Sequence, residues 1–133
     1  DYVFKKISYD TNKNFNVESS EIEFIPDIDF KYYLDDEKKA FALRIGLKEG
    51  KITEKTPFLL RLDLLGFFEF QGEYNKKLEI EAASILFPYL RNQVSVLTLN
   101  SNEFPPYFLP TIDLKEELSK NDNISRVDSE FKI

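Results

Sequence analysis

The sequence predicts an α+β fold: a four-stranded antiparallel sheet with a long crossover after strand one, then a long helix and a short C-terminal helix packed on one face. Three observations predict it. Apolar residues alternate with others in three runs between Ile28 and Phe70, broken by the turn-like segments DDEKK and KEGK. A stripe at helical spacing follows, with Leu86, Leu90, Val94 and Leu97. Asp113 and Glu116 then have the spacing of a capping box before a short apolar-faced segment. Strands followed by helices read as α+β, and short turns make strands two to four antiparallel neighbours.

The elements follow in order. Val3, Lys5, Ile7 and Tyr9 alternate loosely and read as a first strand. TNKN and ESSE are polar, yet Phe15, Val17, Ile22 and Phe24 are spaced along this connection. Loops shed such residues unless they cover something apolar. Ile28, Phe30, Tyr32 and Leu34 mark a half-buried second strand, and Phe41, Leu43, Ile45 and Leu47 a third. Phe58, Leu60, Leu62, Leu64, Phe68 and Phe70 share a face of a longer fourth strand. Leu65 and Phe67 on its other face predict cover on both sides there, and Gly66 a bulge or a close backbone approach.

Helix is predicted from about Lys77. The segment ILFPYLR places Pro88 inside it, where proline costs about 3 kcal/mol. The first turn of a helix removes that cost, so the local reading makes KKLEIEAA a separate short helix and Ser84 an N-cap. FPPYFLP reads as an extended connector, Leu114 to about Lys120 as the last helix, and residues 121–133 as a polar, loose tail. The 133 residues are read as one domain.

Composition excludes several functions. Net charge is −6, which argues against nucleic acid and against anionic membrane surfaces as partners. With no Cys and no His, thiol and imidazole nucleophiles, disulfides and the usual zinc sites are absent. No apolar run approaches the roughly 20 residues of a membrane span. DYVFKKISYD has no signal-peptide core, and the cytoplasm is the expected location. Asp27, Asp29, Asp35 and Asp36 lack calcium-loop spacing and read as a solvated strand edge and turn. No motif surrounds any pair of carboxylates, so neither an enzyme, a metal nor a cofactor is expected. Thirteen Phe and seven Tyr exceed what a small core needs, and point to an interface or a binding surface.

ILFPYLR, followed about twelve residues later by FPPYFLPTIDL, resembles the SecB protein-export chaperones. That family opens its main helix on an LFPYAR-type segment and follows it with an FP…LP connector. The matching positions are Leu86, Phe87, Pro88, Tyr89, Arg91, Phe104, Pro105, Leu109, Pro110, Ile112 and Leu114. TPFLL…GFFEFQG is similar to the family's fourth strand and IPDIDF to its second.

The resemblance implies an ATP-independent holdase that binds non-native polypeptides in apolar grooves and keeps precursors competent for export. It also implies a homotetramer, a dimer of dimers, with the long helices between sheets. Client contact would fall on Ile22, Phe24, Ile28, Phe30 and Tyr32, with Leu114 and Leu118 opposite. The oligomer interface would use Tyr89, Leu90, Val94 and Leu97. Arg61 stands where members that deliver clients to SecA carry an acidic residue, and TNKN interrupts the acidic positions after strand one. Both departures argue against SecA as a partner.

Periodicity leaves alternatives open. The Ile28–Leu34 face reads as core unless it lines a groove, the helix stripe as core or interface, and the Leu114/Leu118 pair as core or groove cover. Two competing functions remain: a chaperone dedicated to one partner, such as an antitoxin, and a domain holding a small apolar ligand.

Overall fold

The structure is a computed structural model and describes residues 1–16, 23–101, 107–110, 112–119 and 124–128. Its elements are β1 (Tyr2–Thr11), β2 (Pro26–Asp35), β3 (Ala40–Glu49), β4 (Phe58–Glu69), α1 (Lys76–Ser101), α2 (Leu114–Ser119) and β5 (Ile124–Asp128). The sheet order is β1-β4-β3-β2-β5. The first four strands are antiparallel throughout. The predicted four-stranded sheet, long helix and short helix are therefore all present. β5 is an addition: part of the segment read as a loose tail pairs in parallel with β2, Ile124 opposite Phe30 and Asp128 opposite Leu34.

Alternation decides which face is core. Phe30 and Tyr32 of β2, Phe41 to Leu47 at every second position of β3, and Phe58 to Leu64 at every second position of β4 are buried in one cluster with α1. The opposite face carries charge, including an Arg44–Asp63 pair at 3.3 Å. Leu65 is nonetheless buried and Phe67 half-buried on that face, as the unbroken apolar run predicts. A bulge between Phe4 and Lys6 interrupts the β1–β4 ladder.

The helix corrects the local reading of Pro88. α1 is a single helix of 26 residues with Pro88 in its interior, and KKLEIEAA forms its first turns. Asn75 rather than Ser84 caps it: its Oδ1 accepts from the Leu78 N–H at 3.1 Å. The Ser84 hydroxyl donates to the Ile80 carbonyl one turn back. Proline leaves the Ser84 carbonyl without its usual donor, but Ser84 and Pro88 both lie on the exposed side, which solvent reaches. Meanwhile Leu86, Phe87 and Leu90 enter the core. Each large side chain so buried contributes about 1.5–3 kcal/mol, which together outweighs one lost backbone bond.

Gly66 sets the distance between helix and sheet. A Cβ there would lie 2.5 Å from Leu86 Cδ1, so only glycine lets this leucine rest on the strand. Tyr32 ties the layers by donating from its hydroxyl to the Glu79 carbonyl at 2.9 Å.

Candidate functional site

A groove of about 820 Å³ lies between β2 and the connector that returns from α1. One wall is Pro26, Asp27, Ile28 and Asp29, with Lys48 from β3; the other is Tyr107, Leu109, Pro110, Ile112 and Glu117.

Each wall has a local cause. β2 begins at Pro26, which its position at the strand start tolerates. Polar contacts hold the connector against α1. The Tyr107 N–H donates to Thr98 Oγ1 at 2.8 Å, while that hydroxyl donates to the Val94 carbonyl at 2.9 Å. Arg91 Nε donates to the Leu109 carbonyl at 3.2 Å. Asp113 then starts α2 by accepting from the N–H groups of Lys115 and Glu116 at 3.1 and 3.2 Å.

Phe24 packs between β4 and the connector. Its ring lies 5.0 Å from Phe58 and 4.9 Å, edge to face, from Tyr107. The Tyr9 ring lies 5.4 Å from that of Phe58, tilted to it. Phe24 is half-buried, between core and surface, and its neighbour Ile25 is more than half exposed. On the connector, Phe108 beside Tyr107 is 70% exposed.

The groove's charge is mixed and leans acidic. Burial pushes the Asp29 carboxyl above its ordinary value, and the neighbouring Asp63 charge adds to this; Lys48 and Arg44 oppose it. Burial also raises the Tyr107 phenol. Among the described residues no acidic group is arranged to hold a metal ion.

The proposed client residues separate. Ile28 lines the groove, and Phe24 and Leu114 are half-buried beside the core. Phe30, Tyr32 and Leu118 are each 1% exposed, so within one subunit they are core and not groove surface. The reason is strand alternation: Phe30 and Tyr32 point to the face that α1 covers. Ile22 lies outside the described residues. Tyr107, Leu109 and Ile112 were read as connector rather than wall. The signal for them is the aromatic and proline density of FPPYFLPTIDL, which a plain loop does not require.

The proposed interface residues separate in the same way. Leu90 and Val94 are fully buried against the sheet, and Leu97 is half-buried. Their place on the open side of α1 is taken by Ile85, Tyr89, Val96 and Leu99, which are exposed. Tyr89 stacks on Tyr2 of β1 at 4.1 Å, and Val3 and Ile7 of that strand are also exposed.

Arg61 is committed within the chain. Its Nε and Nη2 reach the same Glu49 oxygen at 3.3 and 2.9 Å, and the Glu49 side chain is 4% exposed. No described helix is long and apolar enough to cross a membrane.

The chain is thus an α+β subunit with a groove between β2 and the connector and an exposed apolar face on α1. The family model "Preprotein translocase subunit SecB" matches residues 4–122. The chain belongs to the SecB family. An uncharacterized protein of Methanocaldococcus jannaschii is 30% identical over 109 residues, 78% of this chain and 70% of that protein. The protein-export protein SecB of Ruegeria pomeroyi is 29% identical over 99 residues, 66% of this chain and 59% of that protein. The Mycobacterium tuberculosis SecB-like chaperone Rv1957, solved with a peptide from the HigA1 antitoxin, superposes with a TM-score of 0.64. It shares 16% identity, with 85% of each chain covered, and so speaks to fold.

Proposed function

We propose that this chain is an ATP-independent chaperone that holds non-native polypeptides in the groove between β2 and the connector. The carrying observation is the groove itself, walled by Ile28, Tyr107, Leu109 and Ile112, with half-buried Phe24 packed against Tyr107. Extended segments gain burial there at several weak points, each large side chain contributing about 1.5–3 kcal/mol. Several such contacts bind without demanding one sequence. Ile25 and Phe108, which adjoin Phe24 and Tyr107 in the chain, are exposed and offer further apolar area.

Assembly belongs to the same reading. The exposed face of Ile85, Tyr89, Val96 and Leu99, joined through Tyr89 to Tyr2, is the side on which a second copy would pack, in a dimer or in a tetramer built as a dimer of dimers. The cytoplasm suits a chaperone without cysteine. SecA remains disfavoured as a partner, because a basic Arg61 is held at the surface by Glu49.

The test is suppression of aggregation of an unfolded probe protein without ATP, by the wild-type chain at stoichiometric ratio. Suppression supports the reading, and its absence across several unrelated clients removes it. A dedicated antitoxin chaperone is the second reading, favoured by the antitoxin peptide on the Mycobacterium neighbour. Tight binding of one peptide with no general suppression would select it.

A further inference from the structure

The edge of β2 serves two neighbours in succession. Its first four residues, Pro26 to Asp29, line the groove. Its next five, Phe30 to Leu34, pair with β5. Ile124, the first residue of β5, therefore sits opposite the residue that follows the groove wall. A polypeptide lying in the groove along β2 meets the start of β5 one step beyond Asp29.

β5 is the weakest member of the sheet by construction. It has five residues where the other strands have ten to twelve, and it is the parallel one. Parallel pairing is slightly less stable per residue, and a single short strand is marginal alone. Its main contact is β2. It is fed by residues 120–123 from α2, whose Glu117 and preceding Ile112 already belong to the groove wall. Without it, β2 would be an open edge, the kind of template that extended chains pair with.

We propose that the β2 edge is a strand-docking site for the extended backbone of a client, and that β5 is its resident occupant, displaced when a client segment runs on from the groove. This rests on the groove reading above and adds the mode of recognition. Backbone pairing along β2 supplies affinity that is blind to sequence, while the groove selects side chains. With β5 removed, the ten residues of β2 present a track of about 33 Å instead of the first four residues alone. The C-terminal segment also protects the edge from other copies when no client is present. Because β5 and client exclude one another, apparent client affinity is the intrinsic affinity multiplied by the fraction of subunits with β5 undocked.

A reversible lock tests this in the full-length chain. Lys31 and Ser125 are register partners, and the chain has no cysteine of its own. Neighbouring strands lie about 4.8 Å apart, within the Cα range of a disulfide. Lys31→Cys with Ser125→Cys, oxidised, would pin β5 in place. Binding of a reduced and carboxymethylated, permanently unfolded protein is measured before and after oxidation. The expected result is at least a threefold loss of affinity on oxidation, fully recovered with reductant. Equal affinity in both states, in a protein whose wild type binds the probe, overturns the displacement proposal and leaves the groove reading intact. Failure of the disulfide to form in the folded protein overturns the docked register and the proposal with it. No binding of the probe by wild type removes the chaperone reading itself, and this inference falls with it.

Discussion

Arg91 Nε donates to the carbonyl oxygen of Leu109 at 3.2 Å, so the two halves of the LFPYLR and FPPYFLP signature touch in the folded chain. The helix motif supplies the donor and the connector motif the acceptor. The bond fixes the connector as a groove wall instead of a free loop.

Arg91→Ala should therefore act on two quantities. A hydrogen bond from a charged donor contributes about 1.5–3 kcal/mol. The expected loss is in the lower half of that range, because the contact is only partly buried. Urea unfolding measures it. Client affinity should fall as well, since Leu109 lines the groove. Arg91→Lys should not restore either, because the bond uses the guanidinium Nε rather than a terminal point charge.

Gly66→Ala should cost about 1–3 kcal/mol through overpacking against Leu86. Leu86→Ala alone should cost about 2–5 kcal/mol by leaving a cavity. The double variant should cost less than the sum by more than about 0.5 kcal/mol, because the smaller side chain makes room for the new methyl. Strict additivity in denaturant melts would show that the helix is not seated on this glycine.

Phe24 and Phe30 should part company. Phe30→Ala should cost about 3–5 kcal/mol of stability, as for a buried aromatic. Phe24→Ala should lower client affinity about tenfold with a smaller thermal change. Unchanged client binding with a large drop in melting temperature would return Phe24 to the core.

The two sides of α1 give opposite expectations. Val94→Asp buries a charge against the sheet and should abolish soluble, folded protein. Val96→Asp with Leu99→Asp alters the exposed face and should leave circular dichroism unchanged while reducing the sedimenting mass. A wild-type monomer at micromolar concentration would remove the assembly reading.

Asp29 gives a pH signature. Its carboxyl titrates above the ordinary value of 3.8, through burial first and the Asp63 charge second. The folded state thus holds this proton more tightly than the unfolded chain. Ionisation therefore weakens the fold progressively as pH rises from 3.8 through the folded value, and fully above it. Asp29→Asn should raise the melting temperature at pH 7 by a small amount, since the residue keeps contact with solvent. The gain should vanish below about pH 3.8. A gain that persists at pH 3 would assign it to packing instead.

Local alternation made the three hairpin-linked strands legible, because each strand turns one face to the core. Ile28 to Leu34 and Phe41 to Leu47 declare that face residue by residue. The paired motifs ILFPYLR and FPPYFLPTIDL likewise carried the family resemblance without any coordinates. The phase of α1 was not legible. Leu90 and Val94 on one side and Ile85, Val96 and Leu99 on the other are all apolar, so the period is plain but the sheet-facing side is not. Only packing on Gly66 and Tyr32 decides it. That same packing overrides the local penalty of Pro88, since burial of Leu86, Phe87 and Leu90 outweighs one backbone bond. ISRVD has no alternation to announce a strand. β5 exists because the chain, returning past α2, finds the free edge of β2, a contact between residues more than ninety positions apart. The groove has the same origin: its two walls are distant in sequence, and long-range closure, which no local period encodes, brings them face to face.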